Sequence, residues 1–194
     1  MTHPTDPFDF FAAWFAEAEA SEVNDSNAMT VATTNQEGHP SARIVLLKEW
    51  DRGGFVFYTN KESRKGDELR ENPRACLLFH WKGLRRQVRI EGPVEHVSDA
   101  EADAYYNSRP RDSRLGAWAS IQSRPLLARG DLEKRIGEFD AMYPGEDVPR
   151  PAHWSGFRVV PAYFEFWQDM PFRLHDRDVF TRQGDTWQTG KLFP

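Results

Sequence analysis

Three groups of residues in this 194-residue sequence have the types and spacing to do chemistry, and each suits an anion. The first is Ser63-Arg64-Lys65-Gly66, close behind Tyr58-Thr59-Asn60. A strand that ends in hydroxyls and leads into a helix N-terminus offers free backbone N–H groups beside two cations, which fits a phosphate monoester. An ordinary capped helix with solvated charges has the same appearance. The second group is Tyr105, Arg109 and Ser113. Tyr105 and Arg109 are helical neighbours if the helix runs that far before Pro110, giving either a second phosphate clamp or a solvated helix end. The third is Arg173-Leu174-His175-Asp176-Arg177. Read as a strand, it aligns Arg173, His175 and Arg177 on one face, where three cation-capable side chains repel unless an acid or a ligand lies opposite. A further pair, Arg43 and Lys48, brackets four apolar residues; one continuous strand puts them on opposite faces, about 17 Å apart.

Other chemistries find no purchase. The sequence shows no Ser-His-Asp set, Walker loop or Gly-x-Gly-x-x-Gly. Its six histidines never pair at i, i+4, and its single cysteine, Cys76, sits in an apolar run, so neither a disulfide nor a metal is expected. Two phosphate-suited sites with aromatics and no nucleophile fit a phosphorylated cofactor that supplies the reactivity itself. The net charge of -5 argues against a nucleic-acid binder. It hides a split: residues 1–42 hold seven carboxylates and no Lys or Arg. The bases are 19 Arg against 6 Lys, a bias toward planar, fork-shaped donors, which codon bias also produces. No run reaches the ~20 apolar residues of a membrane span. The N-terminus lacks the basic start and apolar stretch of a signal peptide, so a reducing, cytoplasmic setting with no membrane partner is expected.

The elements that must position these groups are mostly strands. Asp6-Pro7 opens a helix to about Ala20, with Phe8, Phe11, Phe15 and Ala18 at helical spacing. Ala28–Thr34, Ala42–Trp50 and Gly54–Thr59, joined by tight turns, read as an antiparallel meander. Ser63 caps a helix through Glu71. Strands follow at Ala75–Trp81 and Arg86–Val97, the latter interrupted at Gly92-Pro93. Ser98 and Glu101 form a capping-box pattern for a helix to about Asn107, ahead of helices at Arg111–Ser120 and Asp131–Met142. Strands return at Gly156–Trp167, Phe172–Thr181 and Asp185–Thr189. The expectation is one domain over 1–194, mainly β with flanking helices. Its parts are an N-terminal helix and loop (1–27), a small antiparallel barrel and a helical insert (98–142).

In order, these segments resemble the pyridoxamine 5′-phosphate oxidase family. The pieces that carry the resemblance begin with Arg43-Ile-Val-Leu-Leu-Lys48, Tyr58-Thr-Asn60, Ser63-Arg-Lys-Gly66 and Arg86-Gln-Val-Arg-Ile-Glu-Gly92. They continue with Ser108-Arg-Pro110, Gly116-Ala-Trp-Ala-Ser-Ile-Gln-Ser123, Glu165-Phe-Trp-Gln168 and Arg173-Leu-His-Asp-Arg177. The resemblance implies an FMN-binding split β-barrel, a homodimer with two FMN at the subunit interface. FMN-contacting positions would be Arg43, Ile44, Val45, Tyr58, Thr59, Ser63, Arg64, Lys65, Gln87, Gln122, Ser123, Trp167 and Arg177, with Gln122 and Ser123 supplied by the partner subunit. Lys48, Tyr105, Arg109 and Ser113 would hold a substrate phosphate, and Arg173 and His175 would assist at the reacting carbon. The implied reaction oxidises pyridoxamine or pyridoxine 5′-phosphate to pyridoxal 5′-phosphate, passing a hydride from C4′ to the flavin and on to O2, which leaves as H2O2. The alternatives are a related split-barrel oxidase of another substrate, such as a phenazine-pathway intermediate, and a flavin- or pyridoxal-phosphate-binding protein without turnover.

The sequence departs from the family pattern in places. Many members begin with an arginine-bearing arm that folds over the substrate. This sequence opens on its acidic helix, which bears on lid closure and substrate retention. Trp154-Ser-Gly-Phe157 stands for Trp-Gly-Gly-Tyr, and Lys191 begins a C-terminus that is usually Arg-Leu-x-Pro. Asp169-Met170 stands where Gly-Arg is common, exchanging a cation for an anion beside the site.

Overall fold

The structure is a computed structural model that describes residues 5–194. Residues 1–4, including His3 and the start of the segment read above as lacking a leader, lie outside the described residues. Helix α1 (Pro7–Ser21) begins where the sequence signals it: the Asp6 carboxylate accepts the Phe8 amide at 2.8 Å, and Pro7 takes the first turn. Its buried face of Phe8, Phe11, Trp14 and Ala18 plugs the barrel, and Phe11 packs edge-on to Phe55 at 4.9 Å.

The strands are β1 (Ala28–Thr34), β2 (Pro40–Leu46), β3 (Glu49–Asp51), β4 (Gly54–Asn60), β5 (Arg74–Trp81), β6 (Arg86–His96), β7 (Trp154–Val159), β8 (Tyr163–Gln168), β9 (Asp176–Gln183) and β10 (Thr186–Lys191). One sheet runs β10-β9-β8-β6-β5-β1-β2, and β3-β4-β7 joins it through β6. The hinge of the two sheets is Gly92-Pro93. Before it β6 pairs with β8; after it Val94–His96 pairs with β7. A Cβ on Gly92 would sit 1.9 Å from the Val160 carbonyl, so only glycine allows this crossing. The interior is filled by Phe57, Leu77, Phe79, Val88, Ile90, Phe164 and Phe166. The helices are α2 (Arg64–Glu71), α3 (Asp99–Ser108), α4 (Arg111–Ala119) and α5 (Arg129–Met142).

The observed strands correct six expectations. Ala42–Trp50 is two strands, because the chain changes partners at Leu47 and Lys48: the Leu47 amide donates to Asn27 and the Lys48 amide to Val56. The meander is therefore broken; β2 pairs with β1, β3 with β4, and the barrel is split between them. Lys48 lies beyond the end of β2, which cancels the opposite-face argument. Gly156–Trp167 is likewise two strands, separated around Pro161. Phe172–Thr181 opens as a 3-10 turn (Pro171–Arg173) with Phe172 and Arg173 at φ 60° and 63°. Arg173 and His175 thus precede β9 and do not share a strand face with Arg177.

Candidate active site

The split in the barrel holds a cavity of about 710 Å³ lined by β2, the end of β4, the start of α2, and Tyr105, Arg109, Gln122 and Trp154. One end is a nest of cations. Ser63 caps α2, its Oγ accepting the Gly66 amide at 3.4 Å while donating to the Asn60 carbonyl at 2.7 Å. Gly66 lets the helix start approach the Lys61 carbonyl, which an added Cβ would meet at 2.0 Å. Lys65 is only 6% exposed, yet its Nζ donates to three neutral acceptors: Thr59 Oγ1 at 3.0 Å, Gln122 Oε1 at 3.1 Å and Ser63 Oγ at 3.2 Å. Burial, followed by the Arg43 guanidinium, pushes the Lys65 ammonium down to about 8; Glu68 opposes the shift. Arg43 reaches in from β2, donating to the Val31 carbonyl at 3.1 Å and Thr33 Oγ1 at 2.6 Å.

The other end is aromatic. Tyr58 and Tyr105 stack with centroids 4.1 Å apart, and Trp154 lies parallel to Tyr58 at 5.4 Å. Arg109 lies over the Trp154 ring at 4.9 Å, and its buried Nη1 has no hydrogen-bond partner among the described residues. Burial pushes its guanidinium down from the usual range, with Tyr105 and Tyr106 opposing. A buried unmatched donor is costly unless a ligand satisfies it. Lys48 Nζ stands 5.8 Å from the Tyr105 centroid, and Ser113 opens onto an adjoining recess with Arg109. Arg43, Ile44, Val45, Lys48, Tyr58, Thr59, Arg64, Lys65, Tyr105, Arg109, Gln122 and Ser123 thus surround one cavity.

The remaining expected residues lie elsewhere. Gln87, Trp167 and Arg177 face a separate recess, with Gln87 paired to Trp167 and Trp167 to Arg177 across β6, β8 and β9. The Arg177 charge is already answered by Glu165 at 2.7 Å. Arg173 and His175 line another hollow with Trp167 and Asp169. His175 Nδ1 lies 3.0 Å from Asp169 Oδ1 and 3.2 Å from the Met170 amide, and Asp169 also pairs with Arg85. Strands β6, β5 and β1 separate this side from β2, about 19 Å at the usual strand spacing. Gln122 corrects an expectation. Its contacts with Lys65 and Thr59 are made within one chain, so it and Ser123 furnish this chain's own cavity wall and are not lent by a partner.

Two participants escaped the sequence reading. Trp154, named above only as the start of Trp154-Ser-Gly-Phe157, lines the cavity. Glu68, buried behind the cations, carried one signal: its i, i+4 spacing from Arg64.

Residues 15–143 match the family described as pyridoxamine 5′-phosphate oxidase, and residues 154–194 match the pyridoxine 5′-phosphate oxidase C-terminal dimerisation region. The chain belongs to the pyridoxamine 5′-phosphate oxidase family. It is 61% identical to the pyridoxine/pyridoxamine 5′-phosphate oxidase of Rhodospirillum rubrum, covering 97% of this chain and 96% of that protein. The enzyme of the same name from Gluconobacter oxydans is 62% identical, with 97% and 94% covered. Among solved structures, PhzG from Burkholderia lata 383, in complex with tetrahydrophenazine-1-carboxylic acid, superposes with a TM-score of 0.93. That chain is 31% identical, and the match spans 100% of this chain and 95% of that one. A related FMN-binding protein from Nostoc punctiforme, 16% identical with a TM-score of 0.77, shares the fold. Within this family frame Trp167, Arg173, His175 and Arg177, which line the separate hollows, fall inside the segment matching the dimerisation region. Among the described residues no helix is long and apolar enough to cross a membrane.

Proposed function

We propose that this protein oxidises pyridoxamine and pyridoxine 5′-phosphate to pyridoxal 5′-phosphate, with FMN as cofactor and O2 as final acceptor, as a cytoplasmic homodimer of single-domain subunits. The observation that carries the reading is a cation at either end of one aromatic-walled cavity: buried Lys65, hydrogen-bonded only to neutral groups, and half-buried Arg109, whose Nη1 has no hydrogen-bond partner among the described residues. That arrangement suits two phosphates with flat rings between them. The residues present fit FMN: Lys65, Arg43, Arg64 and the Ser63 cap would hold its phosphate, and Ile44, Val45, Thr59, Gln122 and Ser123 would line its body. When bound, the flavin supplies the two-electron acceptor that no side chain can provide.

The chain's own residues supply orientation and charge. Arg109, held over the Trp154 ring, would take the substrate phosphate with Lys48, Tyr105 and Ser113. Fixing the phosphate at one end aims the C4′ carbon and avoids the entropy cost of docking a free substrate. Gln87, Trp167, Arg173, His175 and Arg177 would complete the site from the partner subunit, since on one protomer they open onto separate hollows. With an Nδ1–H donated to the Asp169 carboxylate 3.0 Å away, His175 Nε2 would be the unprotonated nitrogen that accepts the proton released from the C4′ substituent.

The test is steady-state turnover in air. Pyridoxine 5′-phosphate should yield pyridoxal 5′-phosphate and H2O2 in equal amounts, whereas pyridoxine, lacking the phosphate, should be turned over far less efficiently. Equal use of both would remove the role assigned to Arg109, and flavin binding without turnover would favour a carrier protein.

A further inference from the structure

Glu68 is the one carboxylate buried among the cations of the cavity, 5% exposed on α2. Four side chains from three elements converge on it. Thr33 on β1 donates to it, Ser41 on β2 donates at 2.5 Å, Arg64 Nε at 2.9 Å and Arg43 Nη2 at 3.4 Å. Burial alone would raise this carboxyl; the hydrogen bonds from Ser41, Thr33 and Arg64, with the Arg43 charge, outweigh it and hold the group down at about 2. It is therefore a permanent anion at working pH, and it ties the paired strands β1 and β2, one side of the split, to the helix that starts the cavity.

A carboxylate here looks counterproductive, because it repels the phosphate that the cations are there to bind. Its geometry resolves this. Without it, Arg43, Arg64 and Lys65 would be three cations crowded with no anion; the exposed Arg64 guanidinium would lose the contact that orients it, and Arg43 would keep only its neutral acceptors Val31, Thr33 and Ser41. With it, the group carries two net positive charges, the match for a phosphate that bears nearly two negative ones near neutral pH. We infer that Glu68 is a positioning residue for the cofactor phosphate: it aims Arg43 and Arg64 into the cavity and sets the charge of the cradle to that of a phosphate dianion. The inference rests on the proposed FMN reading. Lys65 is the group that reports it. The charged groups facing Lys65 are Arg43 from β2 and Glu68 from its own helix; Thr59 from β4, Ser63 and Gln122 are its neutral partners. Of the two charged neighbours, only Glu68 favours the protonated lysine.

The experiment titrates the flavin-free full chain with FMN and with riboflavin, followed by flavin fluorescence, from pH 6 to 9.5. Riboflavin has the ring and no phosphate, so its affinity reports an intact cavity. In the natural protein FMN should bind more tightly than riboflavin, and that preference should fade as pH rises through about 8. In Glu68→Gln the preference at pH 7 should fall at least about tenfold, the worth of one charge-assisted hydrogen bond. The pH of fading should drop by about one unit, as expected on removing an opposite charge at close range. Glu68→Asp keeps the charge and shortens the reach. It should lower the preference while holding the pH of fading near that of the natural protein, and it serves if Glu68→Gln fails to fold. Unchanged preference and pH profile in both variants, with riboflavin binding intact, would overturn the inference. A natural protein that binds FMN and riboflavin equally would instead overturn the phosphate reading on which it stands.

Discussion

Replacing Lys65 by glutamine should abolish a rise in stability with pH that the flavin-free protein owes to this one side chain. The Lys65 ammonium sits at about 8 in the folded chain against an ordinary 10.5, chiefly because burial disfavours its charge. The folded value is the lower one. Between the two values the unfolded chain therefore binds more protons, and stability climbs with pH across that window. At about 1.4 kcal/mol per unit, the climb from pH 7 to 9.5 comes to about 2 kcal/mol. Glutamine keeps a donor for Thr59, Ser63 and Gln122 but cannot titrate, so the stability of Lys65→Gln should stay flat by comparison. Urea denaturation of both proteins at pH 7 and 9.5, at one fixed protomer concentration, reads the difference. Saturating FMN should erase the climb in the natural protein, because a phosphate beside Lys65 favours the ammonium in the folded state. Parallel pH dependence in the natural protein and the Lys65→Gln variant would refute the claim that Lys65 is a buried charge awaiting an anion.

Arg109→Met should raise KM for pyridoxine 5′-phosphate by about 30-fold or more, the worth of a charge-assisted contact to phosphate, with flavin content unchanged; steady-state kinetics and the flavin spectrum check both. Phe11→Ala, at the fully buried centre of the α1–barrel contact, should cost about 3–5 kcal/mol in urea denaturation without changing the FMN-to-riboflavin preference of the folded fraction. Co-expression of Lys65→Met with Arg173→Ala chains should restore activity that neither homodimer has, since one site of each mixed dimer would draw both intact halves; activity no greater than that of the parent homodimers would refute a site shared between subunits.

The sequence was most legible where structure is fixed locally. Asp6 before Pro7, Ser63 before Arg64, and the Ser98–Glu101 box each mark a helix start that the structure reproduces, because a cap is an interaction between near neighbours. Strand breaks were hidden for the opposite reason. At Leu47-Lys48-Glu49 no glycine or proline marks a break, and only the choice of partner, Asn27 or Val56, ends one strand and begins the next. The same applies at Arg173 and His175, where a strand pattern gives way to a turn with two residues at positive φ. Most of the cavity wall was legible through the order of its motifs. Glu68 was not, because a glutamate on a short charged helix ordinarily faces water. Its burial depends on Thr33 and Ser41, which arrive from strands about 30 residues upstream.

The measurement closest to the centre of the account is anaerobic mixing of the flavin-loaded protein with pyridoxine 5′-phosphate. The visible flavin band should bleach with one equivalent of substrate per bound flavin. Admitting O2 should restore it, with one pyridoxal 5′-phosphate and one H2O2 released per flavin. A band that persists through saturating pyridoxine and pyridoxamine 5′-phosphates would contradict the account, whatever the affinity of the cavity for either phosphate.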